Sequence, residues 1–381
     1  MSWRTDAALQ FARHGLDMAK GAYPARWTAP VVSQARWSTQ RAREWEAHHG
    51  VLVGCNFTPS TAGNQLEVFQ DNTYDPETIS RELGWAAELG MNSIRLFTHH
   101  LLHELPYFHD RLDEILAIAD SHGIGAVLVP FDGCWRNTAK LGPQGNPVPG
   151  LHNSMWLQSP GKEILSDPRR WHTLRPYLDA LMERFGDDRR IQVWDLFNEP
   201  NGPEADIRSA AAQKYRLGTR LLDVVFDWAQ KSDPSQPLTA GVFVGASGAA
   251  ERADPINRIM LGRSDIISFH SYKPRHRLVA TIDHLSAYQR PLVCTEWMGR
   301  PNSPVDLIEV FAEKRVGCHI WGLVDGRTQT RYPWSSNWRR ATPDTPWFHE
   351  LLHRDGSPYD PREVETFMRG ARLARNVSRD T

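Results

Sequence analysis

The chain has 381 residues, 40% hydrophobic and 23% charged, with a formal net charge of −1. That composition is ordinary for a globular protein and offers no long-range field for nucleic acid or an anionic membrane. No run approaches 18 consecutive apolar residues, so no bilayer span is expected. The length suits two or three domains or a single large α/β barrel.

The first 48 residues, ending in STQRAREWEAHHG, read as a helical, amphipathic extension, with 49–381 as the domain proper. The opening MSWRTDAALQFARHG carries Arg4, Asp6 and Arg13 and no apolar stretch of signal-peptide length. Beyond it, short apolar runs recur: VLVGCNF (51–57), NSIRLF (92–97), GIGAVLVPF (123–131), IQVWDLF (191–197), LTAGVFV (238–244), DIISFHSY (265–272), PLVCTEW (291–297) and GCHIWGLV (317–324). Helical patterns lie between them. DPETISRELGWAAELG (75–90) opens on an Asp N-cap with Pro at N1 and closes on Gly. DRLDEILAIADSHG (110–123) reads the same way, with Leu112, Ile115, Leu116 and Ala119 on one stripe.

Eight strands alternating with helices, without hairpin signals, predict a parallel sheet buried on both faces. The fold class is therefore α/β, a (β/α)₈ TIM barrel with an N-terminal helical extension. A doubly wound sheet is the alternative, but no G-x-G-x-x-G follows the first strand. Two long connections, 132–170 after strand three and 325–345 after strand eight, fall on the carboxyl side of the strands, where barrel active sites are built. The four cysteines, Cys55, Cys134, Cys294 and Cys318, lack CxxC spacing, and three sit in apolar runs. Reduced thiols and a cytoplasmic location are expected. Among the fifteen tryptophans, Trp135, Trp156, Trp297, Trp334 and Trp338 lie beside polar or turn-forming residues, a context suited to stacking on a ligand ring.

Chemistry gathers at the strand ends. Strand two carries Arg95, with His99 and His100 beyond. Strand three ends in Asp132, strand four in Asn198-Glu199, strand six in His270 and Tyr272, strand seven in Glu296-Trp297, and strand eight contains Trp321. Charges inside apolar runs are costly to bury unless paired. Strands four and seven face each other across a barrel, so Glu199 and Glu296 put two carboxylates in one cleft. Glycosidic bond cleavage requires such a pair: one protonates the leaving oxygen, the other attacks or activates water.

WDLFNEP (194–200) and LVCTEW (292–297) resemble the acid/base and nucleophile signatures of clan A glycoside hydrolases, particularly glycoside hydrolase family 5, over roughly 50–355. The resemblance implies that Glu199 is the acid/base and Glu296 the nucleophile. It also matches Asn198, the His270-Ser271-Tyr272 triplet, Trp321 and Arg95 to family positions. Many family members carry a histidine near strand three, where this chain has Asp132-Gly133-Cys134-Trp135; His152 in LHNSMW is the candidate to supply one from the loop. On this reading Arg95, His99, Asp132, Trp135, His152, Asn198, His270, Tyr272 and Trp321 bind substrate. Glu199 is expected to have a raised pKa, and Glu296 to be kept ionised by Arg95 and Tyr272. Asn198 is placed at the sugar 2-hydroxyl and Trp321 beneath the ring.

The expected partner is an oligosaccharide or small glycoside, with no nucleic acid, membrane or cofactor; a homo-oligomer is compatible with the sequence. Exo action is expected from the loop walls, with Trp135, Trp156, Trp334 and Trp338 around the terminal sugar. Endo action in the same clan and a non-catalytic sugar-binding barrel are the competing readings. THHLLHE (98–104) offers three histidines for a metal, but its spacing is not H-E-x-x-H, and no metal is expected.

Overall fold

β-Branched and aromatic runs of five or six residues bury both faces of a strand, which suits the inner wall of a parallel barrel. In the computed structural model, which describes residues 31–202, 208–243 and 254–376, these runs become β1 (Val53–Phe57), β2 (Ser93–Phe97), β3 (Gly125–Val129), β4 (Ile191–Asp195), β5 (Leu238–Thr239), β6 (Ile267–His270), β7 (Leu292–Trp297) and β8 (Gly317–Trp321). Neighbours pair in parallel in the order β5-β4-β3-β2-β1-β8-β7-β6. A parallel bridge from Val242 to Phe269 links the two ends, with Val242 N–H donating to Ser268 O and His270 N–H to Val242 O, both 2.9 Å. The ring is a (β/α)₈ TIM barrel, as the run pattern predicts.

The longer helices among the described residues are α1 (Thr39–His49), α2 (Pro76–Glu88), α3 (Phe108–Ser121), α4 (Arg175–Phe185), α5 (Arg208–Ser232), α6 (Pro255–Arg263), α7 (Arg275–Leu285), α8 (Ile308–Lys314) and α9 (Pro361–Asn376). Asp75 caps α2 as expected, its carboxylate accepting from Thr78 N. The third helix differs from expectation. It begins at Phe108 and has no side-chain cap, because buried Phe108 packs edge-on against Phe69 at 5.2 Å and draws the start two residues ahead of Asp110.

The third and fourth runs also differ from the expected uninterrupted strands. Each breaks near its end, and the tips Phe131–Asp132 and Phe197–Asn198 pair with each other as a separate parallel ladder. The fifth run is regular only over Leu238–Thr239, and its last residue lies outside the described residues.

Residues 1–30 of the expected extension likewise lie outside the described residues. The segment leading into β1 closes the amino-terminal mouth of the barrel. Trp37 and Ala42 form one buried cluster with Leu52, Val127, Val193, Ile266 and Val293. Asp265, fully buried, fixes this plug by accepting from Trp37 N at 2.8 Å and from the Arg36 guanidinium at 3.1 Å.

At the opposite mouth the two long loops are joined. Asn153 N donates to Thr328 O (2.9 Å) and Ala341 N to Gly150 O (3.0 Å). His152 N donates to Ser336 Oγ at 2.9 Å, and Gln329 Nε2 to Val148 O at 2.8 Å. Because β2 and β1 lie between β3 and β8, the joined loops cross over that side of the barrel. A third loop, 58–75, is absent from the sequence-based expectations. It is tied in through Gln65 Nε2 to Leu157 O at 2.8 Å and the Arg327–Glu67 ion pair at 2.9 Å.

Candidate active site

The tip of β4 delivers Asn198 and Glu199 by turning sharply. Glu199 has φ +38, a left-handed conformation that costs a non-glycine residue free energy and clusters at functional sites. Gly133 makes the turn feasible: its N–H donates to Asn198 O at 2.8 Å, and a Cβ there would stand 2.0 Å from the Glu199 carbonyl oxygen.

Around this turn the barrel mouth holds a continuous polar network. Arg95, fully buried on β2, donates to Asp195 Oδ2 (2.9 Å), Asn56 Oδ1 (2.8 Å), Glu296 Oε1 (2.9 Å) and Asn198 Oδ1 (2.8 Å). A buried guanidinium is tolerable only with this degree of pairing. Tyr272 OH donates to the second Glu296 oxygen at 3.0 Å. Both expected partners of Glu296 thus reach it.

His270 Nδ1 lies 2.8 Å from Glu199 Oε1 and 3.7 Å from Glu296 Oε2. Burial alone would lower the His270 pKa, but Glu296 and then Glu199 outweigh it, and the pKa is raised. The imidazole therefore favours its charged form between two carboxylates. For Glu296, burial pushes the carboxyl up, His270 pulls it down, Glu199 pushes up and Arg95 pulls down; the net direction is upward. Its donors offset the cost of burial without reversing it. Burial, then Glu296, pushes the Tyr272 phenol well up, so it remains a neutral donor.

Glu199 has a second contact that sequence reasoning missed: the Cys134 thiol donates to its Oε2 at 3.3 Å. Burial raises the Cys134 pKa well above the ordinary thiol value, so the group stays protonated. All four cysteines are buried and free.

Several expected substrate-binding residues stand behind the site instead. Asp132 is fully buried; it accepts from Asn198 Nδ2 at 3.0 Å, Trp156 Nε1 at 2.5 Å and Cys134 N at 2.9 Å. Its role is to orient Asn198, and burial pushes its pKa up to about 6. His99 is also fully buried. Its Nε2 faces Gln158 O at 3.2 Å and its Nδ1 accepts from Leu101 N at 3.2 Å, which fixes a neutral tautomer stacked on His100 at 4.6 Å.

His152 does not reach the carboxylates. Its Nδ1 faces Tyr332 O at 2.7 Å, so it tethers one loop to the other. Burial lowers its pKa to about 4. Trp135 and Trp321 remain partly exposed. Trp321 packs edge-on against Phe97 (5.9 Å) and Trp156 (5.8 Å). Trp297 is fully buried and packs on Phe311 at 5.0 Å, so it belongs to the core and not to a ligand surface. Trp334 is partly exposed against Tyr272 at 4.9 Å.

Asn56 and Asp195 complete the Arg95 shell and were also missed. Asp195 had a signal, since a carboxylate within an apolar strand requires a buried partner. Glu199, His270 and Glu296 can each present one ligand atom, all within 4.8 Å of one another. They are the set among the described residues that could hold a metal ion. The THHLLHE histidines do not converge: His99 is engaged with Gln158 O and Leu101 N, His100 Nδ1 faces Ser159 Oγ at 2.9 Å, and His103 is exposed.

The fold matches solved structures of glycoside hydrolase family 5 enzymes over about 86% of the chain. A GH5_18 enzyme from Streptomyces cattleya, in complex with GlcNAc, has 16% identity and a TM-score of 0.58, covering 86% of this chain and 81% of that one. A family 5 mannosidase from Rhizomucor miehei has 14% identity and a TM-score of 0.55, with 87% and 95% covered. An endo-β-1,4-mannanase from Thermotoga petrophila has 14% identity and a TM-score of 0.54, with 87% and 78% covered. No family model and no curated protein matches the sequence. The chain therefore has a glycoside hydrolase family 5-like fold. No helix among the described residues is long and apolar enough to cross a membrane.

Proposed function

We propose that this chain is a retaining glycoside hydrolase that cleaves small oligosaccharides or glycosides by double displacement. The observation that carries the proposal is the carboxylate pair bridged by His270, with one oxygen of each within 4.8 Å. That nearest-oxygen approach is in keeping with the short carboxyl separation of retaining pairs, about 5–5.5 Å, against about 6.5–9.5 Å for inverting pairs. Glu296, held by Arg95 and Tyr272 on separate oxygens, is fixed for attack at the anomeric carbon. Glu199 is the more exposed of the two and takes the part of general acid, then base. Asn198, clamped by Arg95 and Asp132, is suited to the sugar 2-hydroxyl.

We further propose exo action. The observation that supports it is the joining of the two long loops on the β1–β2 side of the mouth, which would wall off one end of a substrate cleft. A small-glycoside substrate and four free thiols fit a cytoplasmic enzyme. The test is a panel of aryl glycosides, followed by digestion of a reducing-end-labelled oligosaccharide of the sugar that reacts. Stepwise loss of terminal units is expected. Early mid-length fragments would favour the endo reading, and sugar binding without turnover would favour a non-catalytic barrel.

A further inference from the structure

Beneath the joined loops, behind Trp321, a small recess collects polar groups from four parts of the chain. Its walls include Asn56 of β1, Phe97 of β2, Asn153 and Trp156 of the loop after β3, and Thr328, Thr330 and Glu350 of the segment after β8. Asn56 and Phe97 also touch Arg95, so the recess shares a wall with the carboxylate centre. Its volume is about 20 Å³, room for one water-sized group.

Two side chains there are fully buried and incompletely paired. Asn153 is 1% exposed, and neither its Oδ1 nor its Nδ2 has a partner within the described chain. Glu350 is 1% exposed; its Oε1 accepts from Thr330 Oγ1 at 2.5 Å, while its Oε2 has no partner among the described residues. Leaving such groups unsatisfied is costly, so a water or the polar group of a ligand is expected to complete them. Both residues also have left-handed backbones, φ +49 at Asn153 and φ +67 at Glu350.

We propose that this recess is a hydroxyl-recognition site for the terminal ring of a neutral sugar, with Asn153 and Glu350 as specificity-determining residues. An amide offers one donor pair and one acceptor, and a carboxyl kept neutral offers one of each. A sugar hydroxyl, itself donor and acceptor, complements both. Burial, reinforced by Asp325, pushes the Glu350 pKa well up against the pull of Arg331 and Arg300, which keeps the acid in its neutral form. No Lys, Arg or His lines the recess among the described residues, so a uronic acid has no counter-charge there. The inference rests on the glycosidase reading and narrows it to neutral glycones.

Isothermal titration tests it with glucose, galactose, mannose and xylose, the mono-deoxy analogues of whichever binds, and glucuronate. The proteins are the wild type, Asn153→Ala, Glu350→Ala and, as the conservative control, Glu350→Gln, each checked by circular dichroism and melting. One neutral sugar is expected to bind the wild type and to lose about tenfold or more in affinity when one particular hydroxyl is removed. Asn153→Ala and Glu350→Ala should bind it correspondingly more weakly and no longer distinguish the deoxy analogue, whereas Glu350→Gln, which keeps a neutral donor and acceptor, should stay close to the wild type. If one alanine variant fails to fold, the other carries the test. No binding by any neutral sugar, equal discrimination in wild type and alanine variants, or equally tight glucuronate binding would overturn the proposal. Binding with the expected dependence but without glycoside turnover would fail the glycosidase reading alone. Turnover without that dependence would fail the recess alone.

Discussion

The two mouths of the barrel are sealed by opposite chemistry. At the amino-terminal mouth, Trp37 and Ala42 meet Val127, Val193 and Val293, and a buried carboxylate, Asp265, accepts from Trp37, Leu238 and Arg36. At the carboxyl-terminal mouth, Arg95, Asp195, Glu296, His270 and Glu199 crowd into one network, with a left-handed glutamate. One end gains free energy from apolar burial; the other keeps charges desolvated, which is destabilising unless geometry compensates. Perturbing the two ends should therefore affect different observables.

The largest effect should come from Glu296→Ala. If Glu296 is the nucleophile, kcat on aryl glycosides should fall by roughly 10⁵–10⁶-fold, with the fold retained by circular dichroism. Glu199→Gln should be milder and selective. Substrates with poor leaving groups should slow by about 10²–10⁴-fold, while activated aryl glycosides slow less, because they need little protonation. Equal losses on both substrate types would remove Glu199 from the acid role.

Trp37→Ala probes the opposite mouth. It should cost about 3–5 kcal/mol of stability by opening a cavity, measured by denaturant unfolding. Where the variant remains folded, kcat should stay close to wild type. A large fall in kcat would mean that the two ends are not separable.

The smallest effect concerns pH. Burial holds His152 near pKa 4, below its unfolded value of about 6.5. A depressed pKa contributes stability that is present above the unfolded value and lost as pH falls through the folded one. The melting temperature should therefore drop between about pH 6.5 and 4. His152→Asn, which keeps a donor for Tyr332 O without titrating, should flatten that slope. An unchanged slope would show that other buried histidines, such as His99 and His100, carry it.

Much of the reactive end was legible because barrel strands present their last residues to one cleft. Asn198, Glu199, His270, Tyr272 and Glu296 converge from the ends of β4, β6 and β7 and could be read at the ends of apolar runs, while Arg95 stands out as a charge inside the run of β2. The supporting residues were less legible because burial depends on partners remote in sequence. Asp132, at the end of an apolar run, reads as a sugar ligand, but Trp156 and Asn198 occupy its oxygens. His152 looked like an active-site histidine, but its partner is a carbonyl 180 residues away. Glu350 lies in no recognisable motif, and only the folding of the segment after β8 under the loop after β3 brings it beside Asn153. The broken tip of β4 had no signal, because the apolar run continues through Leu196 without a change in pattern, whereas the break in β3 falls at Pro130, which cannot donate to a ladder.

The central claim is that Glu296 attacks the anomeric carbon and forms a covalent glycosyl-enzyme. It is tested most directly by incubating the protein with a 2-deoxy-2-fluoro glycoside bearing an activated leaving group, using the sugar that the aryl glycoside panel identifies. Intact-protein and peptide mass spectrometry then locate any adduct. The account predicts one fluoroglycosyl group per chain, on Glu296, accompanied by loss of activity. An adduct on another residue, or no adduct together with an inverted product by NMR, would contradict it.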